Sequence, residues 1–252
     1  MSGSSVLVFG GSGVIGAAAA SYFHRRGWAV TATGRRAMPP SPASGSSGPV
    51  GPSAVSADAV PITVFDPFAP DPDYASLAAG GPYDAVVWAQ GANVNDSLYT
   101  LDIDRHIELL MANCVFITKT MNALLTRKMV VERGARFCVV SSIWQSIARQ
   151  NKYSYTVSKA AVQGIVHAAS VDLGQDGHLV NAVLPGVVDT PMTRANLSPE
   201  QIDAVSSATL FNRLVGLEDV CSTIHWLCSS DNHGVTGQSV AVDLGFRHGR
   251  IL

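Results

Sequence analysis

Tyr155 and Lys159 stand four residues apart in Tyr155-Thr156-Val157-Ser158-Lys159, a spacing that puts both on one face of a helix. A phenol, with a reference pKa of about 10, exchanges protons poorly at neutral pH until something stabilises its anion. A lysine ammonium about 4 Å away, at an effective dielectric near 20, contributes roughly 4 kcal/mol and would bring the phenol to about 7. The pair is therefore expected to act as a general acid/base. Upstream, the apolar run Phe137–Val140 ends in Ser141-Ser142. A strand end and a helix start can converge on one site, where the Ser142 hydroxyl would hold the carbonyl or alcohol oxygen whose proton Tyr155 moves.

A second constellation lies near the N-terminus. Phe9-Gly10-Gly11-Ser12-Gly13-Val14-Ile15-Gly16 follows a short apolar run directly and opens an alanine-rich helix that extends to about Arg26. Gly10 suits a tight turn, Gly13 lets backbone approach a pyrophosphate, and Gly16 permits close packing of helix on strand. The N–H groups of Ser12, Gly13, Val14 and Ile15, at the helix start, would face the phosphates. The next apolar run ends in Thr31-Ala32-Thr33-Gly34-Arg35-Arg36, without the acidic residue that would accept from an NAD ribose. Gly34 leaves room there, and Arg35 with Arg36 can pair with a 2′-phosphate, so NADP(H) is favoured and NAD(H) is the alternative. Asp66 can accept from an adenine amino group or cap the turn made with Pro67.

These residues need a frame that brings them together. Val6–Phe9, Ala29–Thr33, Ile62–Phe65, Ala85–Trp88, Phe137–Val140, Leu179–Leu184 and Val240–Val242 read as strands, with helical stretches between most of them. Continuous apolar strands, rather than alternating ones, belong to a parallel sheet covered on both faces. The expected class is a single-domain α/β, doubly wound Rossmann-type sheet over residues 1–252, with ligands beyond the carboxyl ends of its strands. Residues 37–60, almost all Pro, Ser, Gly, Ala and Val, interrupt this rhythm and read as a flexible surface insertion.

Composition narrows the partners. The 252 residues are 47% hydrophobic and 14% charged, with a formal net charge of −2. That balance lacks the basic excess needed for nucleic acid, and Val6–Phe9 is too short for a signal-peptide core or a membrane span. A charged fraction below the ~25% usual for globular domains suggests surface hidden between subunits. Cys114, Cys138, Cys221 and Cys228 form no CxxC pair, and the seven histidines are scattered, so reduced thiols, a cytoplasmic location and no metal site are expected.

Gly10, Gly13, Gly16, Ser142, Tyr155 and Lys159, followed by Asn181-Ala182-Val183-Leu184-Pro185-Gly186 and Asp189-Thr190-Pro191, resemble the short-chain dehydrogenase/reductases. The resemblance runs nearly the whole chain, to Val235-Thr236-Gly237-Gln238 and Val242-Asp243-Leu244-Gly245. It implies that Tyr155 is the general acid/base, that Ser142 orients substrate, and that Lys159 lowers the tyrosine pKa and binds the nicotinamide ribose. It implies that Asn113 holds a water in a proton relay. It further places Ala89, Gln90, Gly91, Pro185, Gly186, Val188 and Thr190 against the cofactor, makes residues 190–213 a substrate lid, and favours a homotetramer. Three positions depart from the family pattern. Val14 replaces the middle glycine of the single-domain members, Trp88-Ala89-Gln90-Gly91 stands for Asn-Asn-Ala-Gly, and Asp243-Leu244-Gly245 lacks a second glycine.

Asn93, Trp144, Gln145, Arg149 and Val187, with Ser142 and Tyr155, are the candidate substrate-binding residues, fitting a small polar or oxygenated substrate. The basic tail carries Arg247 and Arg250, either as solvated charges or reaching a neighbouring subunit. The expected activity is an NADP(H)-dependent interconversion of a carbonyl and a secondary alcohol. Alternatives are a dinucleotide-sensing protein without turnover, or an epimerase or dehydratase suggested by the glycine spacing.

Overall fold

The computed structural model describes residues 3–35 and 60–248. Its strands are β1 Ser5–Phe9, β2 Ala29–Gly34, β3 Ile62–Val64, β4 Ala85–Trp88, β5 Arg136–Val140, β6 Leu179–Pro185 and β7 Ser239–Val242. All seven pair in parallel in the order β3-β2-β1-β4-β5-β6-β7. The order reverses between β1 and β4, so the connections that leave these two strands diverge and open a crevice at their carboxyl ends. Each strand lies within one residue of the apolar run that predicts it. Residue 36, the insertion up to residue 59, and Arg250 lie outside the described residues.

The unbroken hydrophobicity of the strands is explained by burial on both faces. Leu7, Phe9, Val86, Trp88, Phe137 and Val139 face α4 (Phe116–Thr126) and α5 (Tyr153–Asp172), packing with Ile117, Leu124, Val162 and Val166. Val6, Val8, Ala85, Val87, Cys138 and Val140 face the other way, onto Phe23 of α1 (Val14–Arg25) and Ile224 of α8 (Leu217–Cys228). Each fully buried Leu or Ile contributes roughly 1.5–3 kcal/mol relative to exposure. All four cysteines are free and buried. Among the described residues no His, Cys, Asp and Glu cluster could hold a metal.

Smaller elements complete the frame. Helix α2, Tyr74–Ala78, starts at Asp73, whose side chain accepts from Ser76 N. Helix α3, Ile103–Leu110, continues through a π-helical turn, Met111–Val115, into α4. The stretch Ile103–Thr126 is long and apolar enough to cross a membrane. Here one side of it is core, with Leu109, Asn113, Ile117, Thr120 and Leu124 buried. The 190–213 segment forms two short helices, α6 Pro191–Asn196 and α7 Pro199–Ser207.

Candidate active site

At the end of β1 the chain offers backbone. Gly10 has φ +82°, and a Cβ there would lie 2.4 Å from Gln90 N, so the glycine also admits the loop after β4. A Cβ on Gly16 would lie 2.1 Å from the Gly10 carbonyl oxygen. The close packing expected of Gly16 is thus against the turn itself rather than along the strand. Gly13 N already donates to Gly10 O at 2.9 Å, so its N–H is not free for a phosphate as expected. The first turn of α1 has no capping side chain and no acidic residue, which leaves the N–H groups of Val14 and Ile15 and the positive end of the helix for an anion.

A cavity of about 700 Å³ opens beside this turn, lined by Gly10, Ser12, Gly13, Gly34, Arg35, Asp66, Ala89, Gln90 and Gly91. Thr33, Phe65, Phe68, Ala112 and Phe116 also line it, residues that sequence reasoning did not single out. A Cβ on Gly34 would lie 2.7 Å from Ser12 Oγ, so the room it leaves is taken by that hydroxyl. Arg35 is exposed and enters no ion pair among the described residues. Its neighbour Arg36 lies outside them. Of the two roles open to Asp66, turn capping is visible: Oδ1 accepts from Phe68 N at 2.9 Å, while the residue still borders the cavity. Gln90 is the telling residue, because both atoms of its buried amide lack a hydrogen-bond partner. An orphaned amide, an uncapped helix start and a glycine cradle in one cavity fit a dinucleotide, which would satisfy all three.

The second group meets at the carboxyl end of β5. Ser142 starts the 3-10 turn Ile143–Gln145, its Oγ accepting from Trp144 N at 3.3 Å, so its own proton is free to donate. It is also the side chain that pulls the Tyr155 phenol downward. Lys159 Nζ lies 5.6 Å from the centre of the Tyr155 ring and donates to Val140 O at 3.3 Å. Gly91 joins the two groups, since a Cβ on it would meet Asn113 Oδ1 at 3.2 Å and Lys159 Nζ at 3.8 Å.

The electrostatics depart from the expected phenol near 7. Burial pushes the Tyr155 phenol up, and the Ser142 hydrogen bond pulls it back only in part. Lys159, expected to lower it, is itself desolvated. Burial brings its ammonium down to about 8, with Cys114 pulling upward.

Asn113 lies in the π-helical turn, a break in helix geometry that often marks functional positions. Its Oδ1 accepts from Ala92 N at 2.8 Å, and its Nδ2 donates to Ala92 O at 3.1 Å and Ser158 Oγ at 2.9 Å. With both amide donors used, the side chain ties the loop after β4 to α5, so a water held there would donate to an Asn113 oxygen. Pro185 ends β6, and Gly186 N donates to Val242 O. Val188 is buried and bridges to Val215, while Thr190 caps α6 through Thr193 N at 3.1 Å.

Residues 11–247 match a family model described as Enoyl-(Acyl carrier protein) reductase. The chain belongs to the short-chain dehydrogenase/reductase family. It is 35% identical over 121 residues to the uncharacterized oxidoreductase YohF of Escherichia coli, covering 48% of this chain and 47% of that protein. It is 33% identical over 118 residues to (3R)-3-hydroxyacyl-CoA dehydrogenase of Homo sapiens, 46% of this chain and 45% of the relative. These matches span about half the length of the relatives. Among solved structures, a short chain dehydrogenase family protein from Francisella tularensis superposes with a TM-score of 0.81 at 20% identity, covering 98% of this chain and all of the other. A variant of ElxO with NADPH bound gives 0.80 at 20% identity, over 98% and 100%. Both show the shared fold.

The chain accommodates its departures from the family pattern locally. Leu244, where a glycine was missing, adopts φ +52° and is followed by Gly245 at φ +80°. The candidate substrate residues separate. Trp144 packs edge-on to Phe246, Val187 is half-buried, and Arg149 is exposed. Gln145 is buried, with Nε2 donating to Ser239 Oγ of β7 at 2.8 Å and Oε1 left without a hydrogen-bond partner. Arg247 is tied within the chain, to Asp243 at 3.2 Å and Ser146 at 2.8 Å, instead of being a solvated tail charge. Asn93 accepts from Lys152 Nζ at 2.8 Å. Lys152 itself went unnoticed in the sequence, although three residues before Tyr155 is a helical neighbour position.

Proposed function

We propose that the protein is an NADP(H)-dependent oxidoreductase that interconverts a carbonyl and a secondary alcohol. The observation that carries this reading is the junction at Gly91, which lines the cavity and whose Cβ position meets Asn113 and Lys159, near Ser142 and Tyr155. The Gly10–Ile15 turn and Gln90 would hold the pyrophosphate and ribose side of the dinucleotide, and Arg35 its 2′-phosphate. The segment from Pro185 to Thr190 and Lys159 would hold the nicotinamide side. When bound, the nicotinamide supplies the hydride to the carbonyl carbon or takes it from the alcohol carbon. Ser142 Oγ donates to the substrate oxygen and fixes its position. Tyr155 gives its phenolic proton to that oxygen in reduction and takes it back in oxidation. Because burial holds the phenol neutral, reduction needs no prior ionisation, whereas oxidation draws on the phenolate and should gain from alkaline pH.

The α6–α7 segment is proposed as the lid over the substrate. Ile103, Ile107, Met111 and Val115 form an exposed apolar stripe at one side of the long helix, beside exposed Tyr153 and Val157. That surface supports a homo-oligomer, with the expected tetramer testable by light scattering. The decisive experiment for function is a fluorescence titration with NADPH and NADH, followed by an alcohol and ketone panel. Tight NADPH binding that drops about tenfold or more in Arg35→Ala, with turnover of a panel member, is the expected result. Binding of neither dinucleotide would overturn the reading.

A further inference from the structure

Lys152 is a buried cation that enters no ion pair among the described residues and stands beside the Tyr155 ring. It is 9% exposed, at the start of α5. Its Nζ stands 5.6 Å from the centre of the Tyr155 ring, as far as Lys159 Nζ does. Its one hydrogen bond is to a neutral acceptor, Asn93 Oδ1, in the loop after β4. The four ion pairs among the described residues all leave Lys152 out. Asp96, the nearby carboxylate, is engaged elsewhere: it accepts from both the backbone N–H and the hydroxyl of Ser154. Arg149 adds a second positive charge close enough to push the Lys152 ammonium down, in the same direction as burial and against the smaller pull of Asp96.

A buried ammonium costs stability unless it is paired or fully hydrogen-bonded, and an ammonium has three donors. Only one is satisfied by Asn93. The strand-end loop and helix start that hold it are the side of the sheet where ligands lie. A negatively charged group would meet two unused N–H donors and the field of Arg149 there. It would do so beside the phenol that moves the proton.

Resting on the oxidoreductase reading above, we propose that Lys152, held by Asn93 and reinforced by Arg149, binds an anionic group of the substrate, so that the preferred carbonyl compounds are short oxo acids or oxo phosphates. The closeness of Lys152 to Tyr155 requires the anion to sit near the reacting carbonyl. Lys152 would then set specificity by differential binding and leave hydride and proton transfer to the groups already described.

The test compares 3-oxobutanoate with its methyl ester, and hydroxyacetone phosphate with hydroxyacetone, for wild type, Lys152→Met and Lys152→Arg, with dinucleotide saturating. The expected result is a kcat/KM preference for an anion over its neutral partner that falls at least tenfold in Lys152→Met. The loss should appear in KM more than in kcat, with partial recovery in Lys152→Arg. Whichever anion shows the preference identifies it as carboxylate or phosphate. An anion-to-neutral ratio unchanged by Lys152→Met overturns the proposal, as does a wild-type preference for the neutral compounds. Turnover of neutral ketones without an anion preference would sink this inference and leave the reductase reading standing. If nothing is turned over, the reductase reading fails instead, and calorimetry with both anions on the dinucleotide-saturated protein decides. Binding that Lys152→Met abolishes supports the anion site, and no binding to wild type overturns it.

Discussion

At the end of β1 the protein presents backbone, whereas at the end of β5 and the start of α5 it presents side chains. In the first region the defining contacts are approaches that no side chain tolerates, such as Gly16 against the Gly10 carbonyl and Gly10 against the loop after β4. In the second they are polar groups held inside the protein: Ser142 Oγ on Trp144 N, Lys159 on Val140 O, and Asn113 on Ala92 and Ser158. Binding a phosphate at a helix start requires room and unpaired N–H groups, which any substitution spoils sterically. Moving a proton requires groups whose charged forms are held in a chosen environment, which substitutions spoil electrostatically. The two regions should therefore fail in different ways.

The largest separation is expected from Tyr155→Phe. Removing the phenol oxygen takes away the proposed proton donor, and general acid/base contributions of 10²–10⁴ predict roughly a thousandfold loss of kcat. Dinucleotide affinity, set by the glycine region, should change by less than about threefold. Steady-state kinetics beside a fluorescence titration measures both, and retained turnover would remove Tyr155 from the mechanism.

Lys159→Met should lose activity and gain stability. Burial lowers the Lys159 ammonium from 10.5 to about 8, so the folded protein holds this proton less tightly than the unfolded chain does. The penalty is present in full below pH 8, where both states are charged, and fades between pH 8 and 10.5 as the folded state alone gives up its proton. Methionine removes it, at the expense of the hydrogen bond to Val140 O. Thermal or urea unfolding at pH 7 should show the variant more stable by up to about 3 kcal/mol, with the advantage shrinking towards pH 10. Above that, the raised Tyr155 phenol works in the opposite direction, because the folded state then holds its proton longer than the unfolded one. A variant less stable than wild type at pH 7 would show that Lys159 is not a desolvated cation.

Gly16→Ala probes the other region. The added methyl would fall 2.1 Å from a backbone oxygen that cannot swing aside. Displacing the turn should cost about 1–3 kcal/mol of stability and at least tenfold in dinucleotide affinity, while kcat at saturating cofactor falls much less. Equal losses in kcat and affinity would mean that the two regions are mechanically one.

The contrast also explains what could be read from the sequence. Strand ends were legible to within one residue because the central strands β1, β4, β5 and β6 are buried on both faces, which leaves unbroken apolar runs, and the outer strands keep shorter runs of the same kind. The glycine turn and Tyr155/Lys159 were legible because a short-range spacing carries each. Gln90 as an orphaned amide, the π-helical turn at Asn113, and the neutral phenol were not. Each depends on segments distant in sequence: the β1 turn against the loop after β4, the long helix against α5, and the desolvation of the Tyr155 phenol at the end of β5. Lys152 lay between these cases. Its spacing from Tyr155 was visible, but its burial outside any ion pair among the described residues arises only when Asn93 and Asp96 come alongside.

Ser198→Ala tests a third region, where neither steric fit nor buried charge operates. Helix α7 buries none of its residues and is held at its start by a reciprocal cap, Ser198 Oγ accepting from Gln201 N at 3.3 Å and Gln201 Oε1 accepting from Ser198 N at 3.1 Å. Losing the serine should weaken the helix by about 1 kcal/mol. Because so little of the core depends on α7, the global unfolding midpoint should scarcely move, and the loss should appear as faster amide exchange confined to residues 199–207. If this segment closes over substrate, KM should rise about two- to fivefold with kcat almost unchanged, since a frayed lid must be ordered during binding. Faster exchange without any change in KM would confine the α7 cap to local stability and remove the segment from substrate capture.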